Sequence, residues 1–156
     1  MLRKEREITD FQEIIKVLEK CDTIRLGIFG AEYPYVVPVS FGVSLEGDKV
    51  VIYFHGSPRG YKAELLQTHP KVCVEGDIFH KVEPTAYGIT TRYESVIGFG
   101  VVESVEGDEG KIKGLQTIVK HYNFPEYPIG RCKGLAAAHV YKITLSQITG
   151  KSSLQA

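Results

Sequence analysis

The sequence predicts a mostly β protein, an antiparallel β-barrel with helices, and three observations carry that reading. Short apolar, β-branched and aromatic runs recur, among them Thr23 to Phe29, Val50-Val51-Ile52-Tyr53-Phe54 and Tyr93 to Val105, a composition suited to pleated, half-buried strands. Tight turns separate them, at Gly30-Ala31-Glu32, Glu46-Gly47-Asp48-Lys49 and Glu106-Gly107-Asp108. About six strands stand against helices at the start, middle and late positions, and short strands joined by tight turns favour a barrel over a doubly wound sheet.

In chain order, the charged opening Arg3 to Arg6 leads to Ile8-Thr9-Asp10, where Thr9 or Asp10 can cap a helix. Phe11, Ile14, Ile15, Val17 and Leu18 then recur at one-sided helical spacing until Cys21-Asp22. Thr23 to Phe29 is a strand, and Tyr33 to Phe41 (YPYVVPVSF) a second, interrupted by Pro34 and Pro38. Proline cannot donate to a ladder, so this strand is bulged, at an edge, or lining something other than another strand. Glu46 to Lys49 makes a hairpin turn into the Val50 strand, implying antiparallel pairing.

Tyr61 to His69 reads as a short helix with Tyr61, Leu65 and Leu66 on one face, ended by Pro70 before the strand Val72-Cys73-Val74. Ile78 to Thr91, with Pro84 and Gly88, reads as a loop excursion that folds over a site. Tyr93 to Val105 returns to strand character, and its Gly98 and Gly100 suggest a bend or a close approach. A helix from about Glu109 to Tyr122 follows, with Ile112, Leu115, Ile118 and Val119 on one face. Asn123 to Lys133 is a loop, and Ala138 to Ile148 a final alternating strand.

The chain has 156 residues, enough for one domain with a proper core and short for two. Nineteen basic and nineteen acidic residues cancel, a poor match to nucleic-acid binding, where phosphate neutralisation dominates. No stretch approaches the ~18 uninterrupted apolar residues of a spanning helix, so no membrane partner is expected. Met1 to Asp10 lacks the apolar run of a signal peptide. Three scattered cysteines, Cys21, Cys73 and Cys132, imply a reducing compartment without a disulfide framework or metal-ligand spacing. A cytoplasmic location is expected.

One unit invites chemistry. The Val50 strand ends at His55-Gly56-Ser57-Pro58-Arg59-Gly60, and the Tyr61 helix begins at once. Unpaired backbone N–H groups and the positive end of a helix dipole then face outward beside Arg59 and Lys62, an arrangement that accepts a phosphate. It matches neither the P-loop nor the dinucleotide glycine pattern. Many strand–helix turns carry glycine and lysine for solubility alone, and strand-end histidines such as His55 are often plain surface residues.

The ordered set of segments resembles the pyridoxamine 5'-phosphate oxidase-related flavin-binding split barrels, and within them the 5-nitroimidazole resistance proteins. It is carried by Arg3 to Asp10 (RKEREITD), Arg25-Leu26-Gly27, Pro34 to Phe41 (PYVVPVSF), Tyr53-Phe54-His55, Gly60-Tyr61-Lys62, Thr68 to Cys73, Tyr93 to Gly100 (YESVIGFG) and Ile148-Thr149-Gly150-Lys151. The resemblance implies a single-domain, six-stranded antiparallel Greek-key split barrel of the FMN-binding type, dimeric, with two flavins at the subunit interface. The cofactor it implies is FMN, with FAD possible. Val37, Pro38, Val39, Ser40 and Phe41 are then the strand against the isoalloxazine ring, and Lys62, with Arg59 in the same turn, the phosphate site. Tyr53 is placed beside the cofactor, Tyr93, Glu94, Ser95 and Val96 reach it from the other side, and His55 is the catalytic candidate beside the flavin.

The sequence has no tryptophan, and Lys151 to Ala156 is a short polar end, unlike the substrate-binding tail of true pyridoxamine phosphate oxidases. The expected function is an FMN-dependent oxidoreductase acting on small aromatic or nitroaromatic molecules. The alternative is a flavin- or haem-binding carrier or sensor without turnover.

Overall fold

The computed structural model describes residues 3–154, so Met1, Leu2, Gln155 and Ala156 lie outside the described range. A 3₁₀ turn at Lys4–Arg6 leads into β1 (Glu7–Ile8) and α1 (Phe11–Lys20). Asp10 caps α1, its side chain accepting the Glu13 N–H at 3.0 Å, a bond worth about 1 kcal/mol. Ile14, Ile15, Val17 and Leu18 bury one face of α1 in the barrel core, as their spacing requires.

Five strands and one helix follow: β2 (Ile24–Ile28), β3 (Tyr35–Val39), β4 (Phe41–Glu46), β5 (Lys49–Gly56), α2 (Tyr61–Thr68) and β6 (Lys71–Thr85). The chain continues through β7 (Gly88–Ser104), α3 (Asp108–His121), a 3₁₀ turn at Ile129–Arg131 and β8 (His139–Ser152). All pairings are antiparallel, and the order across the sheet is β3-β2-β6-β7-β8-β5-β4, with β1 added to β8. Strands β5 to β8 form a Greek key, because β5 lies beside β8 while β6, β7 and β8 follow one another.

The two ends of that path, β3 and β4, are separated in the chain by Ser40 alone. The ends of the sheet must therefore meet, which closes it into a barrel with its seam at Ser40. The core inside is built on Phe41, Phe54, Leu18, Ile24, Leu26, Ile52 and Ile143, all fully buried.

Among the described residues, eight strands stand where six were expected. The short β1 is one addition. The other is β4, whose Gly42 and Ser44 dilute the apolar signal of its sequence FGVSLE. The expected hairpin is present, with Glu46 opposite Lys49 and Gly47 at φ 65°, a conformation glycine adopts without a Cβ penalty.

The expected loop at Ile78 to Thr91 is instead a β-hairpin arm, with Pro84 opposite Ile89 and Thr85 opposite Gly88. Its two faces explain why it pairs. Val82, Pro84 and Ile89 share one face, while Lys81, Glu83 and Arg92 share the other, where Glu83 bridges Lys81 at 2.5 Å and Arg92 at 2.6 Å. The amphipathic alternation was hidden from a sequence reading by a bulge between Phe79 and Lys81.

Helix α3 covers the outer face of β4 and β5, and two glycines let it approach. A Cβ on Gly42 would lie 2.4 Å from the Thr117 carbonyl oxygen, and one on Gly114 would lie 2.8 Å from the Tyr53 ring. Gly100 also fulfils its expected role: a Cβ there would lie 2.5 Å from the Thr144 oxygen, at a bulge between β7 and β8. Among the described residues, no helix is long and apolar enough to cross a membrane.

Candidate functional site

The strand–turn–helix unit is present, with β5 ending at Gly56 and α2 starting at Tyr61 after Gly60, whose φ is 97°. No side chain caps α2, so its first N–H groups are left for solvent or a ligand. Across the turn, the Arg59 N–H donates to Ser57 Oγ at 3.1 Å.

The Lys62 ammonium folds back over this turn, 5.6 Å from the centroid of the Phe54 ring. A Cβ at position 56 would lie 2.8 Å from Nζ, so Gly56 is what leaves the ammonium its room. Burial lowers the Lys62 pKa, and among the described residues no carboxylate offsets the effect. A half-buried cation without a counter-charge, next to free helix N–H groups, fits a phosphate on both charge and geometry. The floor beneath is rigid, since Phe54 stacks on Tyr141 at 4.9 Å and the Tyr141 hydroxyl donates to the Ser57 carbonyl at 3.3 Å.

The seam strand lies beside this turn. The Tyr35 and Tyr61 rings meet edge to face at 5.1 Å, tying β3 to the first turn of α2. Phe41 pairs with Phe54, the last pair of the β4–β5 ladder, so Ser40 and His55 are the next residues beyond it. β3 ends the sheet path, the edge position that its proline requires, and Pro38 pairs with Arg25 of β2 on one side. Side chains alternate along it: Val36, Pro38 and Ser40 are exposed, Val37 is half-buried, and Val39 and Phe41 are buried. A ligand on the outside would meet Pro38 and Ser40, and only the backbone of Val39 and Phe41.

The structure thus brings Pro38 to Phe41, Arg59 and Lys62 together, with the His55 backbone in the same turn. His55 is exposed, and its side chain shares a face with Tyr53 and its cross-strand partner Val140, opposite the face of Phe54 and Lys62.

Two groups of expected site residues lie elsewhere. The Tyr53 ring is buried beneath α3, with its hydroxyl donating to Glu46 Oε1 at 2.9 Å and Lys113 over its ring at 6.0 Å. That side chain is committed to packing. Tyr93 to Val96 lie far along β7. Tyr53 and Glu103 both flank Lys142, and Tyr93 is ten residues from Glu103, which is ~33 Å of strand. Within one chain, therefore, Tyr93, Glu94, Ser95 and Val96 do not converge with Lys62. Val96 is core, and the buried Glu94 holds His80 Nε2 at 2.9 Å.

Two features escaped the sequence. His139 lies opposite Gly56, on the Lys62 face, with its ring 4.6 Å from Tyr141 and Nε2 3.3 Å from Ser104 Oγ. Only the β5–β8 register, a long-range property, could have shown it. The second is an apolar cleft of about 700 Å³ on the outside of β2, β6 and β7, lined in part by Phe29, Tyr33, Cys73, Phe99 and Val101. It borders the phosphate turn, because a Cβ on its Gly30 would lie 3.4 Å from the Tyr61 hydroxyl. Its volume is that of a small-molecule pocket.

An antiparallel split barrel with a phosphate-compatible turn at its seam defines the class. The sequence model of the pyridoxamine 5'-phosphate oxidase family matches residues 10–152, and the chain belongs to that family. Among solved structures, a putative 5-nitroimidazole antibiotic resistance protein from Bacteroides thetaiotaomicron is 32% identical, with 94% of this chain and 86% of that one covered and a TM-score of 0.81. The FAD and heme binding protein from Mycobacterium smegmatis shares the fold at 20% identity, covering 96% and 74%, with a TM-score of 0.76. The flavocytochrome Anf3 from Azotobacter vinelandii does so at 20% identity, covering 94% and 68%, with a TM-score of 0.73. A search of curated proteins gives no match.

Proposed function

We propose that this protein is a flavin-dependent oxidoreductase of small aromatic or nitroaromatic compounds, using FMN. The observation that carries the reading is the Lys62 ammonium, half-buried, with no carboxylate beside it among the described residues and free helix N–H groups next to it. The family membership and the likeness to a putative nitroimidazole resistance protein support the flavin and the substrate class.

In this reading Lys62 and the α2 N–H groups hold the flavin phosphate, while Pro38 and Ser40, with the backbone of the seam, support one face of the ring. The flavin, when bound, supplies the electron pair that reduces the substrate. His55, one residue beyond the Phe41–Phe54 pair and on the opposite face of β5 from Lys62, is in this reading the proton donor or the group that orients a substrate anion.

A homodimer completes the site. Val96 to Tyr93 lie seven to ten residues along β7 from Glu103, ~23–33 Å of strand in one chain, so in this reading they reach a flavin only from a second copy. The outer face of β7 supports this, since Ile97, Phe99 and Val101 are exposed.

The experiment is mass identification of any small molecule that copurifies, followed by anaerobic reduction and reoxidation with a nitroaromatic acceptor. Stoichiometric FMN that is reoxidised by the acceptor is the expected result. A colourless protein that takes up no added flavin overturns the reading, and bound flavin inert to every acceptor reduces it to a carrier. Light scattering tests the dimer, and a monomer holding stoichiometric flavin excludes the two-chain site.

A further inference from the structure

We infer that Arg6, Tyr93 and Lys151 form an anion-binding subsite, apart from the Lys62 turn, that takes the carboxylate or phosphate of a small molecule. Three distant segments build it: the 3₁₀ turn at Lys4–Arg6, the middle of β7 and the end of β8. β1 carries the turn onto β8, with Glu7 opposite Lys151, and β7 pairs beside it, with Ser95 opposite Lys151.

Tyr93 is held in place by its own backbone. Its N–H donates to Ser153 Oγ at 2.8 Å and its carbonyl accepts the Ser153 N–H at 2.9 Å, with Ser153 fully buried. Two cations then meet on one phenol. Lys151 Nζ lies 5.6 Å from the Tyr93 ring centroid, and Lys151, then Arg6, draw the phenol pKa below its ordinary value against the effect of burial.

The two cations lack what a structural pair would have. No carboxylate bridges either of them among the described residues, and the buried Arg6 Nε has no hydrogen-bond partner. An orphaned N–H and two cations in no ion pair among the described residues, beside a donor hydroxyl and with Glu7 across the strand pair from Lys151, are elements that recognise an oxyanion. Glu5, Glu7, Asp10, Glu13 and Glu94 line a neighbouring cleft that takes in Arg6 but neither Tyr93 nor Lys151.

The oxyanion has two possible sources: a free small molecule, or the phosphate of a flavin bound between two copies. The second rests on the proposed dimeric flavin site; the first does not.

The test is NMR of ring-labelled protein, the Tyr93 signal being assigned by its loss in Tyr93→Phe. Titration with inorganic phosphate, and separately with benzoate, should move that signal saturably. Lys151→Met and Arg6→Gln should each weaken binding about ten- to hundredfold, and Lys151→Arg should restore it to within a few fold. Phosphate taken up by flavin-free but not flavin-loaded protein assigns the subsite to the flavin's own phosphate; uptake by both assigns it to a free ligand. A Tyr93 signal that ignores both anions, or responds equally in Lys151→Met, overturns the inference. A protein that binds no flavin still reads out the subsite in the flavin-free titration.

Discussion

Lys62→Met separates what the ammonium does for the fold from what it does for a phosphate. In the free protein the substitution removes a cation–π contact with Phe54, worth about 0.5–1 kcal/mol at a partly exposed position. The thioether can lie against the same ring and returns about 0.3–1.5 kcal/mol. The desolvation that lowers the Lys62 pKa also disappears. That cost has a defined sign. Between the lowered folded pKa and the unfolded value of 10.5, the unfolded chain holds a proton that the folded one lacks, so the ammonium weakens the free protein at neutral pH and is relieved only as pH rises. The terms nearly cancel, and the flavin-free Tm should move by less than ~3 °C.

The flavin-bound protein should behave differently. Loss of a charge-assisted bond to phosphate costs ~1.5–3 kcal/mol, roughly a ten- to hundredfold weaker Kd. At flavin equal to ~100 times the wild-type Kd, ligand stabilisation falls from about 2.7 kcal/mol to about 1.4 or 0.4. At ~2–4 °C per kcal/mol for a chain of this size, the flavin-bound Tm drops by about 3–9 °C. Fluorescence titration of flavin and paired melts with and without it measure both arms. A variant with unchanged flavin affinity, or one whose flavin-free melt falls as far as its flavin-bound melt, would refute the reasoning.

Lys71→Ala, beyond the helix, should leave flavin affinity within a few fold in the same titration, because Lys71 is exposed at the start of β6. His55→Ala should keep its flavin and lose ~10²–10⁴-fold in turnover per bound flavin, the range for a missing general acid; normal turnover would make His55 structural. Gly42→Ala should lower stability by ~1–3 kcal/mol in urea melts, since its methyl meets the Thr117 backbone at 2.4 Å and α3 must move; an unchanged midpoint would show that α3 shifts freely. Cys21 is buried, its thiol bonds the Val17 carbonyl at 3.3 Å, and desolvation pushes its pKa up to about 11. It should resist iodoacetamide at pH 8 until the protein is unfolded, and stability should fall between about pH 9 and 11, where the unfolded chain loses a proton that the folded one keeps.

What the sequence disclosed was local. One-sided periodicity and a capping aspartate suffice for α1, because both act within four residues. Gly47 likewise reports its own hairpin turn. β4 was missed because Gly42 and Ser44 look like breakers until α3 is seen to need Gly42's missing side chain. The β6–β7 arm was missed because its bulge shifts one strand's alternation by a residue, so neither half reads as regular. Both failures come from contacts made with residues far along the chain.

The site divides along the same line. The phosphate turn was legible because its glycines, its lysine and the helix start are contiguous. The fates of Tyr53 and His139 were not, because both depend on what lies across from β5. Tyr53 faces α3, while His139 reaches the Lys62 face only through its pairing with Gly56. Closure of the barrel then decides where a ligand can go. β5 loses its β4 partner just beyond Phe54, since the chain at Ser40 is crossing from one end of the sheet to the other. The β4 side of β5 is thereby open beyond Phe54 and Ser40 stands outside both strands, while His55 and Gly56 still pair with β8. Beside this opening lie an ammonium with no carboxylate partner among the described residues and free helix N–H groups. Polar backbone left unpaired in a folded protein costs free energy unless a partner supplies the bonds. The seam is accordingly the point at which this fold is least complete by itself, and a phosphorylated ligand with a flat, hydrogen-bonding ring matches what is missing there.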